Sequence, residues 1–277
     1  MSKLISLALF LAAFHPAMAD AANPPRIASI NLCTDQLLMA LADPQQILGL
    51  SPFSRDPMQS WDAVRAAQFP KLSGEAEDVL ILKPDIVVAG DYTKRTTREL
   101  LKDKGLRVEE FSFARSLDEV KGQMRRMGDL VQHADRAADN IAKLDAAIAN
   151  ARKAAANKPY RVLVLSRRGW VTGGDSLANS LLQAVGLKNA AGDLGFEFGG
   201  FASLETIINL KPDLLLVADN ANVAQDEGQA FLLHPALEKF YPALRRIVLP
   251  ERMTVCGGLM LVEALKKLTS ELERVKP

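Results

Sequence analysis

The longest helical pattern in the chain runs over residues 116–157, with a break expected near Gln132 and His133. In its second part Ile141, Leu144, Ile148 and Ala151 recur at three- and four-residue spacing, the period of one helix face. No Pro or Gly interrupts residues 134–157, and Lys158-Pro159 stops the helix there. At 1.5 Å per residue it spans roughly 36 Å, about the width of a small domain. Short apolar runs rich in β-branched residues lie on either side and alternate with helical ones. Before the long helix the pattern predicts strands over 26–32, 47–50, 85–89 and 107–111, with helices over 36–42, 77–82 and 95–104. After it, strands are expected over 160–165, 214–217 and 247–249, with a short extended piece at 170–172. Helices should cover the stretch from the Asp175-Ser176 cap to Val185, then 204–210, 235–240 and 259–275. Strands alternating with helices predict mainly parallel sheets covered on both faces, here as two Rossmann-like α/β lobes joined by one backbone helix.

The two halves also repeat each other. Leu82-Lys83-Pro84-Asp85 precedes one apolar run and Leu210-Lys211-Pro212-Asp213 precedes another, 128 residues later. A glutamate stands five residues before each repeated Leu, Glu77 in one copy and Glu205 in the other. Matching length and matching acids favour duplication of one architecture over two chance helix–Pro–strand junctions. The expected division is a leader at 1–19, an N-terminal lobe at 20–132, the connecting helix at 133–157 and a C-terminal lobe at 158–277.

The leader is read from Lys3, an apolar core over residues 4–14 and the small-x-small site Ala17-Met18-Ala19, so cleavage near Ala19 is expected to release an exported, soluble chain. Removing Lys3 with it leaves 33 basic against 33 acidic residues, a neutral balance without the electrostatic footprint of a nucleic-acid binder. His133 and His234 lack metal-ligand spacing, and no catalytic residue, metal site or cofactor is assigned. Export makes the two cysteines, Cys33 and Cys256, candidates for a disulfide. Two buried thiols and soft ligation of a bound metal complex are the competing readings.

These features together resemble the periplasmic substrate-binding proteins of ABC importers for iron chelates and vitamin B12. The resemblance rests on Arg26-Ile27-Ala28-Ser29-Ile30, the two Leu-Lys-Pro-Asp strands, Thr172-Gly173-Gly174-Asp175-Ser176-Leu177 and the single long helix. It implies two lobes with limited hinge motion, a small-molecule ligand in the cleft and, as partner, a membrane permease. It also implies a monomer in the periplasm. By the same resemblance Glu77 and Glu205 dock on permease arginines; as plain helix N-terminal acids they would instead only complement the macrodipole. Trp170 matches an aromatic of the B12 binders, whereas Gly90, Gly199 and Lys71 stand where further rings are expected, with Tyr92, Phe198 and Phe53 close by.

Ligands of open α/β sheets bind beyond the carboxyl ends of the strands. The candidates found there are Cys33, Phe53, Arg55, Tyr92, Arg115, Arg168, Trp170, Arg252 and Cys256, together with Asp219-Asn220. Arginines fork onto carboxylate, catecholate or phosphate oxygens, and aromatics stack on planar rings, so the mixture suits a siderophore, haem or a corrinoid. Tyr92 is in addition a candidate haem-iron ligand, although a lone loop Tyr more often packs or hydrogen-bonds. The rival from another class is a periplasmic thiol/disulfide enzyme using Cys33 and Cys256, which would want a reactive, low-pKa thiol.

Overall fold

The computed structural model describes residues 23–218 and 226–276; the expected leader and Asp219-Asn220 lie outside them. The N-terminal lobe is built from β1 (Ile27–Ser29), α1 (Leu32–Leu41), β2 (Ile47–Gly49), α2 (Ala63–Ala66), α3 (Ala76–Leu82), β3 (Ile86–Gly90), α4 (Arg95–Asp103) and β4 (Val108–Phe111). Its four strands are all parallel, in the order β2-β1-β3-β4. Two helices follow, α5 (Leu117–Leu130) and α6 (Ala134–Ala155). The expected break between them falls at Gln132, whose φ of 62° turns the chain.

The second lobe comprises β5 (Arg161–Val164), β6 (Trp170–Thr172), α7 (Leu177–Val185), β7 (Lys188–Asn189), β8 (Gly199–Phe201), α8 (Leu204–Leu210), β9 (Leu214–Val217), α9 (Glu227–Leu232), α10 (Pro235–Phe240), β10 (Arg246–Val248) and α11 (Met260–Arg274). Its parallel sheet has the order β10-β9-β5-β7, and β6 pairs antiparallel with β8 in a separate ribbon. The fold is therefore two parallel-sheet α/β lobes joined through one long helix. Four elements were not expected from the pattern: α2, β7, β8 and α9. The strand expected over 26–32 ends at Ser29, because the Asn31 side chain caps α1 by accepting from the Cys33 and Thr34 amides. Cys33 thus sits in the first turn of a helix, and not in the strand-end loop.

The sequence repeat is also a structural one. α3 and α8 are both seven residues long, and each ends on a left-handed Lys, Lys83 at φ 46° and Lys211 at φ 50°. Asp85 accepts from the backbone amide of Arg26 at 2.8 Å, and Asp213 from that of Arg161 at 2.7 Å. The same arginines donate from their guanidinium groups to the carbonyls of Lys83 and Lys211. Each Lys-Pro-Asp turn is thereby tied to the start of the neighbouring strand, which sets the register of β1 against β3 and of β5 against β9.

Residues Ala137, Ile141, Leu144, Ala147, Ala151 and Ala155 bury one stripe of α6, and the small side chains let its neighbours approach closely. That stripe packs on α5 from the first half of the chain and on α7 and α11 from the second. One hydrophobic cluster runs from Ile27 and Val88 through Met124 and Leu144 to Val162, Leu214 and Leu265. The lobes share this core on the helix side. The outer faces of the two sheets have separate cores, around Val79, Val87 and Leu101 in one lobe and Leu163, Ile207 and Leu215 in the other.

Candidate functional site

At the carboxyl ends of the first-lobe strands the backbone is packed closely around Asn31. A Cβ on Gly90 would lie 2.6 Å from the Asn31 amide nitrogen, so the α1 cap needs glycine at this position. This explains why no aromatic side chain stands at residue 90. The loop after β3 is held by Arg98, which donates to the carbonyls of Gly90, Asp91 and Thr93. Tyr92 is presented at its tip, 82% exposed and edge-on to Phe113 with ring centroids 6.0 Å apart. Asp91 in turn accepts from the Phe113 amide, which couples the loops after β3 and β4.

Across from these loops the second lobe offers Val255, Cys256 and Gly257. Cys33 and Cys256 are joined in a disulfide with a Cα–Cα distance of 5.2 Å, and no cysteine is free. Neither sulfur is therefore a thiol or a metal-ligating thiolate in this state. The bond connects the first turn of α1 to the segment before α11 and so links the two lobes covalently. Leu32, Met260 and Trp61 pack on its outer side. On its inner side lies a cavity of about 40 Å³ whose walls include Asn31, Tyr92, Phe113 and Gly257. That is room for a few water molecules. A larger groove of about 910 Å³ opens at the opposite ends of the first-lobe strands. There Arg26 pairs with Asp85, while Arg107 and Arg126 pair with Glu109, so its charges are internally matched.

The rim carries further contacts between the lobes. Arg115, two residues beyond Phe113, reaches Asp175 at 2.8 Å and lies over the Phe198 ring at 5.3 Å. Deeper in, Leu117 donates its amide to Ser180, and Gly257 passes so close to Val120 that a Cβ would sit 2.3 Å from a methyl group. Thr172 pairs with Gly199 and Trp170 with Phe201 along the ribbon, which places the Trp170–Phe201 edge contact of 5.1 Å just beyond Phe198. The rim is thus lined with exposed aromatic rings from both lobes.

The other sequence candidates are scattered. Phe53 is half exposed on the loop after β2, and Arg55 donates to the Phe69 carbonyl at 2.6 Å within its own lobe; neither lines the cavity. Arg168 sits on the turn before β6 at φ 59°, and Arg252 on the turn at Glu251–Met253, four residues before Cys256. Glu77 and Glu205 are each the second residue of their helix and exposed. Sequence reasoning missed Asp175 as a rim residue, although the Gly173-Gly174 pair before it marks the close backbone approach to Phe196 and Glu197 that fixes it. It also missed Asp35, wholly buried behind the cleft floor, where the Ser51 amide and hydroxyl donate to it. Desolvation outweighs those hydrogen bonds and that of Ser29, and raises its pKa to about 7. Among the described residues no group of three or more His, Cys, Asp or Glu gathers to hold a metal ion.

Comparison with known proteins bears on this architecture. A cobalamin-binding protein of Halobacterium salinarum is 27% identical over 72% of this chain, which spans 55% of that longer relative. An uncharacterised ABC transporter substrate-binding lipoprotein, YvrC of Bacillus subtilis, is 23% identical over 71% of this chain and 64% of its own length. Among solved structures, the periplasmic heme-binding protein RhuT from Roseiflexus sp. RS-1 in apo form superposes with a TM-score of 0.72. It has 25% identity and covers 90% of this chain and 98% of its own. The periplasmic binding protein family model matches residues 27–247, most of the chain including both sheets and the helix between them, and the chain belongs to that family.

Proposed function

We infer that the protein is the periplasmic solute-binding component of an ABC importer, which captures an iron chelate (siderophore or haem) or a corrinoid between its lobes and delivers it to the permease. The observation that carries this reading is the cleft itself, with ring-bearing loops from both lobes meeting over a disulfide-tethered floor. Exposed rings from both sides suit a large planar or aromatic ligand better than a small polar one. The heme- and cobalamin-binding proteins of similar sequence or fold support the same range of cargo.

Delivery falls to Glu77 and Glu205. Each opens the matched helix of its lobe, in equivalent positions of the repeat, as two-point docking on basic pockets requires. The thiol-enzyme alternative has no support from the site. Cys256 is 1% exposed, and the chain has no third cysteine to resolve a mixed disulfide.

The test is titration of the protein beginning at Asp20 with hemin, a ferric siderophore and cyanocobalamin, followed by Trp170 fluorescence. One class is expected to bind one-to-one; flat curves with all three would overturn the carrier assignment. Glu77→Ala with Glu205→Ala should leave affinity unchanged and abolish uptake in cells. Loss of affinity instead would remove both residues from the docking role.

A further inference from the structure

The Arg115–Asp175 bridge joins the lobes one residue beyond Ala114, which lines a cavity too small for any chelate. Its two sides differ in how firmly they are held. Asp175 is fixed through its backbone: its amide donates to the Glu197 carbonyl at 2.6 Å, and the Gly173 and Gly174 amides bond to Phe198 and Phe196. Arg115 is fixed at the backbone by Glu119, which accepts from its amide at 2.6 Å, but its side chain only crosses the rim. The guanidinium rests over Phe198 and spends one N–H on Asp175, while its fork carries further N–H donors.

From this geometry we propose that Asp175 is a specificity-determining residue. Its carboxylate occupies the place on Arg115 that an anionic group of the cargo takes, so that the cleft selects chelates with a peripheral carboxylate or catecholate over neutral rings. The inference rests on the carrier reading and narrows its ligand class.

Three physical features favour the exchange. The bridge is half exposed, 51% at Arg115 and 38% at Asp175, and pairs of that kind are weak and easily broken. Once released, the Asp175 carboxylate remains in water just before the Ser176 cap of α7, where a helix N-terminus favours negative charge. A cargo oxyanion, in contrast, meets Arg115 with its aromatic support under it and can bind two N–H groups at once. A neutral ring has to break the bridge without replacing it, which leaves the guanidinium unpaired against the ligand. The floor is fixed by the disulfide and by the Gly257–Val120 contact, so the opening that admits cargo occurs at this rim.

The experiment is a double-mutant cycle with Arg115→Gln and Asp175→Asn, titrated with hemin and ferric enterobactin as anionic probes and cyanocobalamin as the neutral one. Asp175→Asn should tighten the anionic probe that wild type binds about five-fold, and Arg115→Gln should weaken it more than ten-fold. In the Arg115→Gln background Asp175→Asn should change nothing, and cyanocobalamin should shift less than two-fold throughout. Equal effects of Asp175→Asn in both backgrounds would reduce its role to bulk charge and overturn the proposal, as would wild-type preference for cyanocobalamin. Binding of none of the three probes would sink the carrier reading. The bridge is then tested alone by amide exchange of the ligand-free protein. Both substitutions should speed exchange over residues 112–116 and 173–175, and unchanged rates would show that the bridge holds nothing closed.

Discussion

A carboxyl group enclosed among hydroxyls at the end of a sheet is costly to ionise, and Asp35 is in that position. Its pKa of about 7 in the folded chain lies above the 3.8 of an ordinary Asp, so between those values the folded state keeps a proton that the unfolded state has released. Stability therefore carries no penalty from Asp35 below pH 3.8, falls as the pH rises toward 7, and stays reduced above it. The full penalty is on the order of 4 kcal/mol at about 1.4 kcal/mol per pH unit. Asp35→Asn keeps an acceptor for the Ser51 amide and a donor for its hydroxyl, but cannot ionise. Thermal melts from pH 5 to 8 should show wild type losing stability relative to the variant; parallel curves would mean that the carboxylate is well solvated after all. Asp43 and Glu109, whose pKa values are lowered by arginine partners, titrate below this window and are common to both proteins. Nothing in the sequence marks Asp35, because its penalty comes from burial between segments far apart in the chain. Cys33 and Tyr92 line the cavity, one from the first turn of α1 and one from the loop after β3, whereas Arg55, also beyond a strand, turns back on Phe69.

At the scale of elements, α5 carries two glycines with opposite demands, and only one of them serves its corner with α6. A Cβ at Gly128 would stand 2.6 Å from that of Ala137 and 3.2 Å from the His133 carbonyl, both across the corner. The same atom at Gly122, six residues earlier in α5, would meet nothing within 4 Å. Gly122→Ala should therefore gain roughly 0.5–1 kcal/mol from helix propensity alone. Gly128→Ala makes the same gain but forces the helices apart, and overpacking of about 1–3 kcal/mol leaves it destabilised. Urea midpoints of opposite sign are the expected result; two equal gains would mean that the α5–α6 contact is loose. The helices and the repeat were legible because periodicity and the Lys-Pro-Asp turns are local signals. The ribbon strand Gly199–Phe201 and the two-residue strand at Lys188 carry too few apolar positions to register, and each is held by its partner strand instead.

At the scale of the whole molecule, the lobes are joined three times: by α6, by a core that passes through it, and by the disulfide across the cleft floor. The sequence located the helix and the duplication, but left the cysteine pairing open, since whether two sulfurs meet depends on how both lobes sit on α6. The three links make different predictions when the disulfide is removed. The bond closes a loop of 223 residues, and the loss of unfolded-state entropy for such a loop reaches about 5 kcal/mol at 25 °C. In a chain of this size about 5 kcal/mol corresponds to a fall in melting temperature on the order of 10–20 °C. Cys33→Ala with Cys256→Ala adds a cost for the space left beneath Trp61, so the wild-type protein reduced in solution is the cleaner comparison. Calorimetry of the reduced protein should still give one transition, because the shared core makes neither lobe independent of α6. Two separate transitions would mean that the disulfide, and not the packing along α6, had been holding the halves together, and the rim could then open much wider than a tethered cleft allows.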